Sequence, residues 1–173
     1  SRFYSAVDTN ILKYKAALAW LFTCRGIPQL YYGDEIGMQG FTTPNDGHVR
    51  LDFPGGWTSD TINKFTATGR SEKEDSIWNY ISTLANFRKN SSAITSGKMM
   101  QYEPKNGLYV YFRYDSKQTI MTVLNTSKQK ENVSVKDYAE RTKGWSKIKN
   151  GITSETSPLE DFSLMPMESG VWE

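Results

Sequence analysis

Gly26-Ile27-Pro28-Gln29-Leu30-Tyr31-Tyr32-Gly33-Asp34-Glu35-Ile36-Gly37-Met38 is the stretch whose reading decides the fold. Ile27 to Tyr32 is a short, largely apolar run between two glycines. Without polar alternation, such a run predicts a strand of a parallel sheet covered on both faces. Gly33 breaks it. The next stretch, Asp34 to Ser71, is rich in Gly, Thr, Asn, Asp and Pro. A loop of that length inside a compact protein is usually functional, and this one leaves the C-terminal end of the expected strand, where α/β barrels build their sites.

Upstream, Asp8 to Arg25 predicts a helix. Ile11, Leu12 and the run Ala16 to Phe22 leave almost no polar face, so burial on most sides is expected. Arg25 and Gly26 form a stop signal, and Pro28 forbids continuation. Cys24, the single cysteine, is expected to be a buried, inert thiol. Downstream, Ser71-Glu72-Lys73-Glu74 predicts a capping box. The helix after it sets Ile77, Tyr80, Ile81, Leu84 and Phe87 on one face, with Arg88 and Lys89 in the last turn.

From about Ser96 the pattern turns to strands: Lys98–Tyr102, Leu108–Tyr114, Thr119–Leu124, Asn132–Val135 and Val171–Glu173. Tyr109 to Tyr114 and Thr119 to Leu124, joined by Asp115-Ser116-Lys117-Gln118, predict a β-hairpin. Alternation sets Tyr109 and Tyr111 on one face, Val110 and Phe112 on the other, so both faces are expected to be covered. The fold class is therefore α/β plus all-β: the last part of an eight-stranded barrel in residues 1–95, then a small antiparallel β-sandwich in 96–173. One helix, one parallel strand and one more helix cannot close a barrel, so the chain is expected to be cut from a longer one.

Composition narrows the function classes. Hydrophobic residues make up 38% and charged residues 23%, which fits a core-forming protein rather than a disordered one. The 21 basic and 19 acidic residues are well mixed, so no basic stripe for nucleic acid is present. The apolar run Ala16 to Phe22 is too short to span a bilayer. Aromatics reach 13%, which suits either sugar stacking or a β-rich core.

The segment Gly26 to Met38 resembles the eighth barrel strand and following turn of the α-amylase superfamily. Downstream, Asn45-Asp46-Gly47-His48-Val49-Arg50 and Asp52-Phe53-Pro54-Gly55-Gly56-Trp57 resemble its neopullulanase and cyclomaltodextrinase branch, and the sandwich sits where that branch carries a C-terminal β domain. The resemblance implies a retaining α-glycosidase acting on cyclodextrins, pullulan or maltooligosaccharides, with a carboxylate nucleophile and a carboxylic acid across the scissile bond. It places the catalytic carboxylates before Ser1, so no catalytic residue is expected here. It also implies a periplasmic or secreted parent. These residues require no cofactor; calcium would be a matter for the parent enzyme, since no ligand cluster here supports it.

The candidate substrate-binding residues are Asp46, Arg50, His48 and Trp57. A carboxylate and a guanidinium together bind vicinal hydroxyls and fix one another's orientation; the competing reading is a loop salt bridge. His48 either lines the sugar site or is solvated. Trp57 offers a stacking face or packs the loop. Asp34 and Glu35 leave the strand in opposite directions and are expected to satisfy loop backbone groups. Two other readings remain open: a non-catalytic glucan-binding module, and a structural role in which the sandwich mediates homodimer contacts.

Overall fold

The computed structural model describes residues 1–173. A short helix α1 (Phe3–Ala6) leads into α2 (Ile11–Thr23), whose start is fixed by Asn10: its Oδ1 accepts the Leu12 and Lys13 amides at 3.0 Å each. The long helix α3 (Glu72–Asn90) begins with the expected capping box, in which Glu74 N–H donates to Ser71 Oγ and Ser71 N–H to the Glu74 carboxylate. Tyr4, Tyr14, Leu18 and Phe22 meet Ile77, Ile81 and Leu84 in a buried cluster between these helices. Each Leu or Ile buried there contributes about 1.5–3 kcal/mol.

After the short helix α4 (Ser92–Ser96), an antiparallel sheet runs in the order β1-β2-β3-β8: β1 is Lys98–Gln101, β2 Leu108–Tyr114, β3 Thr119–Asn125 and β8 Ser169–Trp172. The expected hairpin forms, with Tyr114 opposite Thr119. Asp115 closes it, its Oδ1 accepting the Lys117 and Gln118 amides. Two ribbons complete the chain: β4 (Glu131–Val133) with β7 (Phe162–Leu164), and β5 (Lys147–Lys149) with β6 (Thr156–Pro158). Between β4 and β5 lies the one-turn helix α5 (Ala139–Thr142).

Both faces of the main sheet are covered. Val110, Phe112, Met121 and Val123 pack on Val133 and Leu164 of the β4–β7 ribbon. On the opposite face, Ile120, Leu124 and Val171 pack on Ala19 of α2 and on Ala93 and Ile94 of α4. The second layer is thus a two-stranded ribbon on one side and helices on the other, smaller than a full sandwich.

Three expectations need correction. Residues 27–32 form no strand, and no barrel is present in the chain. Parallel pairing needs a neighbouring parallel strand, and every strand pair here is antiparallel. Helix α2 is buried on one face only: Tyr14, Leu18, Ala19 and Phe22 are covered while Leu12 and Trp20 are exposed. It stops at Thr23, short of Arg25, with Cys24 as an extended C-cap. Cys24 is half-buried rather than buried, its thiol pushed up by desolvation and pulled back in part by Arg88 and Arg113.

Candidate functional site

The segment after Tyr32 turns sharply because Gly33 takes a left-handed φ of 85°, open to glycine at little cost. A single helical turn, Asp34–Ile36, comes next. The Asp34 carboxylate accepts the Tyr31 amide at 3.0 Å, and Tyr14 Oη–H donates to the Asp34 carbonyl at 2.8 Å. Burial pushes the Asp34 carboxyl above its usual range. Asp34 thus serves the loop backbone, as expected.

Arg2 ties the N-terminal segment to this turn. Its side chain is buried, and its guanidinium lies 4.8 Å from the Tyr31 ring centroid and 4.7 Å from that of Tyr32 while donating to the Tyr32 carbonyl. Such cation–π contacts contribute about 0.5–2 kcal/mol each. The Arg2 amide donates to the Gly40 carbonyl at 2.8 Å and the Gly40 amide to Ser5 Oγ at 2.9 Å. Gly40 must be glycine-sized, since a Cβ there would fall 2.4 Å from the His48 carbonyl oxygen. Tyr32 Oη–H reaches the Leu51 carbonyl at 3.0 Å. Residues 40–51 are therefore held at both ends.

Within that loop Asn45 Oδ1 accepts the Gly47 amide and starts a helical turn, Asp46–Val49. Arg50 Nη2 then stands 3.5 Å from Asp46 Oδ2, both side chains open to solvent. A cleft of about 620 Å³ adjoins them, lined by Arg2, Tyr31, Asp34, Val49 and Arg50 among others. Arg50 reaches this cleft directly, with Asp46 joined through it. His48 is exposed and Trp57 is 63% exposed, and neither lines the cleft. Trp57 is displayed by Asp60, whose carboxylate accepts the Gly55 and Trp57 amides at 2.7 and 3.1 Å, beside a Phe53–Phe65 ring pair at 4.4 Å.

Sequence reasoning missed Arg2 and Tyr31 as wall residues of the cleft. Arg2 carried no local signal, because its partners lie about thirty residues away, and Tyr31 was assigned to a buried strand. No group of three or more His, Cys, Asp or Glu side chains is placed to hold a metal ion, and no helix is long and apolar enough to cross a membrane.

Residues 99–173 match the cyclo-malto-dextrinase C-terminal domain family. Similarity also runs the length of the chain: a cyclomaltodextrin glucanotransferase of Niallia circulans is 28% identical over 179 residues, covering 98% of this chain and 22% of the relative. Over its length the chain resembles the C-terminal part of an α-amylase-superfamily enzyme. Within that superfamily, a cyclomaltodextrinase of Thermoanaerobacter pseudethanolicus is 27% identical over 130 residues, 75% of this chain and 20% of the relative. The chain spans about a fifth of the length of these curated relatives. Its fold matches an α-amylase of Geobacillus thermoleovorans solved with acarbose, at a TM-score of 0.69 and 22% identity over 96% of this chain and 34% of that one. The superfamily relatives are thus glycoside hydrolases and transferases, and residues 99–173 correspond to their small antiparallel C-terminal domain.

Proposed function

We propose that this chain supplies a glucan-binding loop and the C-terminal β domain of a retaining α-glycosidase acting on cyclodextrins, pullulan or maltooligosaccharides. Residues 1–95 would pack with the strand–helix units of a barrel, and 96–173 would form the supporting β domain. The observation that carries this reading is the Asp46–Arg50 pair, held on a loop anchored at both ends and opening on the cleft beside Tyr31. A carboxylate and a guanidinium 3.5 Å apart can together hold two adjacent sugar hydroxyls. In water the pair adds little stability, so architecture alone gives weak reason for it. His48 and Trp57 would then meet sugar only at the outer edge of the loop.

The catalytic carboxylates would be supplied outside these residues. Asp34 is engaged with the backbone, and Asp46 is engaged with Arg50. Leu12 and Trp20, both exposed on α2, favour this reading over a free-standing glucan-binding module, which has no use for an uncovered apolar helix face. The β domain exposes one large apolar side chain, Met165, and so offers no broad apolar face for a homodimer.

The test is hydrolysis of β-cyclodextrin and maltoheptaose by the purified chain, paired with maltoheptaose binding by the longer protein that carries it. No turnover by the chain alone, together with binding lost in Asp46→Ala and Arg50→Ala, is the expected result. Turnover by the chain alone would overturn the assignment of catalysis elsewhere.

A further inference from the structure

A second cleft, of about 640 Å³, lies between the end of α2 and the start of β1 and shares no lining residue with the Arg50 cleft. Four cationic side chains line it, each from a different part of the fold: Arg25 just past α2, Arg88 in the last turn of α3, Lys98 opening β1, and Arg113 within β2. No carboxylate lines it. None of the four cations belongs to an ion pair, although ion pairs form at several other places on the surface. Acidic residues are nearly as numerous as basic ones in this chain, so their absence from this cleft is local.

Two of the cations have a structural task. Arg113, 2% exposed, donates from Nη1 to the Cys24 carbonyl at 2.8 Å and from Nη2 to the Gly97 carbonyl at 2.9 Å. Arg88 Nη1 donates to the Phe22 carbonyl at 2.8 Å and shares the Cys24 carbonyl at 3.5 Å. The Phe22 and Cys24 oxygens lie at the end of α2, and Gly97 at the end of α4, where a helix leaves acceptors without partners. A helix end carries only about half a negative charge, set here against two whole positive ones. Desolvation, then the nearby Arg88, lowers the Arg113 pKa, which agrees with cationic crowding. Arg25 and Lys98 stand at the mouth, exposed, with no structural bond assigned to their charges.

We propose that this cleft binds a phosphate group, either inorganic phosphate or a phosphate monoester, with Arg25 and Lys98 contacting the anion and Arg88 and Arg113 supplying the field that draws it in. A carboxylate is satisfied by one guanidinium fork. A phosphate dianion has acceptors on several sides and is matched by cations that converge from separate elements. A cleft lined by charges of one sign raises the local concentration of the opposite ion.

Isothermal titration of the 173-residue chain with inorganic phosphate and with glucose 6-phosphate, each against sodium chloride at matched ionic strength, tests this. Saturable binding is expected, weakened by about tenfold or more in an Arg25→Gln, Lys98→Gln double variant. Both side chains are exposed, so the variant's thermal midpoint without phosphate should equal that of the parent chain. Equal affinities for the two probes would identify free phosphate as the occupant; markedly tighter binding of the monoester would identify a phosphorylated ligand. Amide shifts provide a second readout that needs no variant, with Gly26 and Gly97 expected to move. No heat beyond the chloride control, undiminished binding by the double variant, or shifts centred elsewhere would overturn the proposal.

Discussion

Asn125 is fully buried at the end of β3, and its amide nitrogen donates to the carbonyls of Gln129, Leu164 and Met165 at 2.8, 3.1 and 3.0 Å. Its Oδ1 accepts the Ser127 amide at 2.9 Å. One side chain thus joins β3 to the turn after it and to the end of β7. Replacing it by alanine removes four bonds, the one to the Leu164 carbonyl buried and the others partly so, and a buried group left without a partner costs about 1–3 kcal/mol. Asn125→Ala is therefore expected to lower stability by about 3 kcal/mol or more, read as a shift of the urea midpoint. Asp46→Ala should behave in the opposite way. The exposed pair it breaks contributes at most about 1 kcal/mol, so the urea midpoint should barely move while maltoheptaose affinity of the longer protein falls by about tenfold or more. A stability loss as large as the affinity loss would recast Asp46 as architecture. The sequence signals differed in kind for these residues. Asp46 and Arg50 stand four apart in a polar loop and could be paired by inspection. Asn125 and Arg2 act on carbonyls far along the chain, and nothing near them in sequence says so.

At the scale of elements, the start of α3 shows what local chemistry can settle. The Ser71–Glu74 box is a short-range motif, so the sequence located it, and the structure adds Lys64, whose ammonium pairs with the Glu74 carboxylate. Burial alone would push that carboxyl up, yet the bonds from Lys64 and Ser71 prevail and hold it below 4.5. A carboxyl whose folded value is depressed stabilises the fold fully above its unfolded value and loses that contribution as pH falls through the folded one. Glu74→Gln should therefore cost about 1 kcal/mol at neutral pH. The gap between it and the parent chain should close as pH is lowered from 4.5, measured by thermal unfolding across that window. A gap independent of pH would mean that the amide side chain, not the lost charge, is responsible. The hairpin was legible for the same reason as the capping box, since period-two alternation and a four-residue polar turn are local. Residues 27–32 were misread because an apolar run says that a segment will be covered, whereas a strand also needs a neighbour to bond. The ribbons β5–β6 and β4–β7 escaped full notice because three-residue strands give too little alternation to see, and β6 even ends in Pro158.

Over the whole molecule, the helices and the sheet share bonds as well as surface. Thr23 Oγ1 lies 2.6 Å from Tyr111 Oη and accepts from Thr122 Oγ1 at 3.2 Å, all three side chains buried, and also donates to the Ala19 carbonyl at 2.6 Å. Arg113 adds its bond from β2 to the end of α2, and Ala19 packs directly on Ile120, Leu124 and Val171. Alternation in β2 had set Tyr111 and Phe112 on opposite faces. It could not say that α2 would be the partner of one and the β4–β7 ribbon of the other, because that depends on how distant segments dock. If residues 1–95 and 96–173 are two domains, they are domains that hold a polar network in common. Their unfolding should then be one transition, with the far-ultraviolet helix signal and the tyrosine environment lost at the same urea concentration. Tyr111→Phe removes the hydroxyl that joins them, leaving Thr122 to partner Thr23, at an expected cost of about 1 kcal/mol. Both signals should shift together in that variant. If the helix signal alone moves to lower urea, the network is not what couples the two parts, and each folds on its own core.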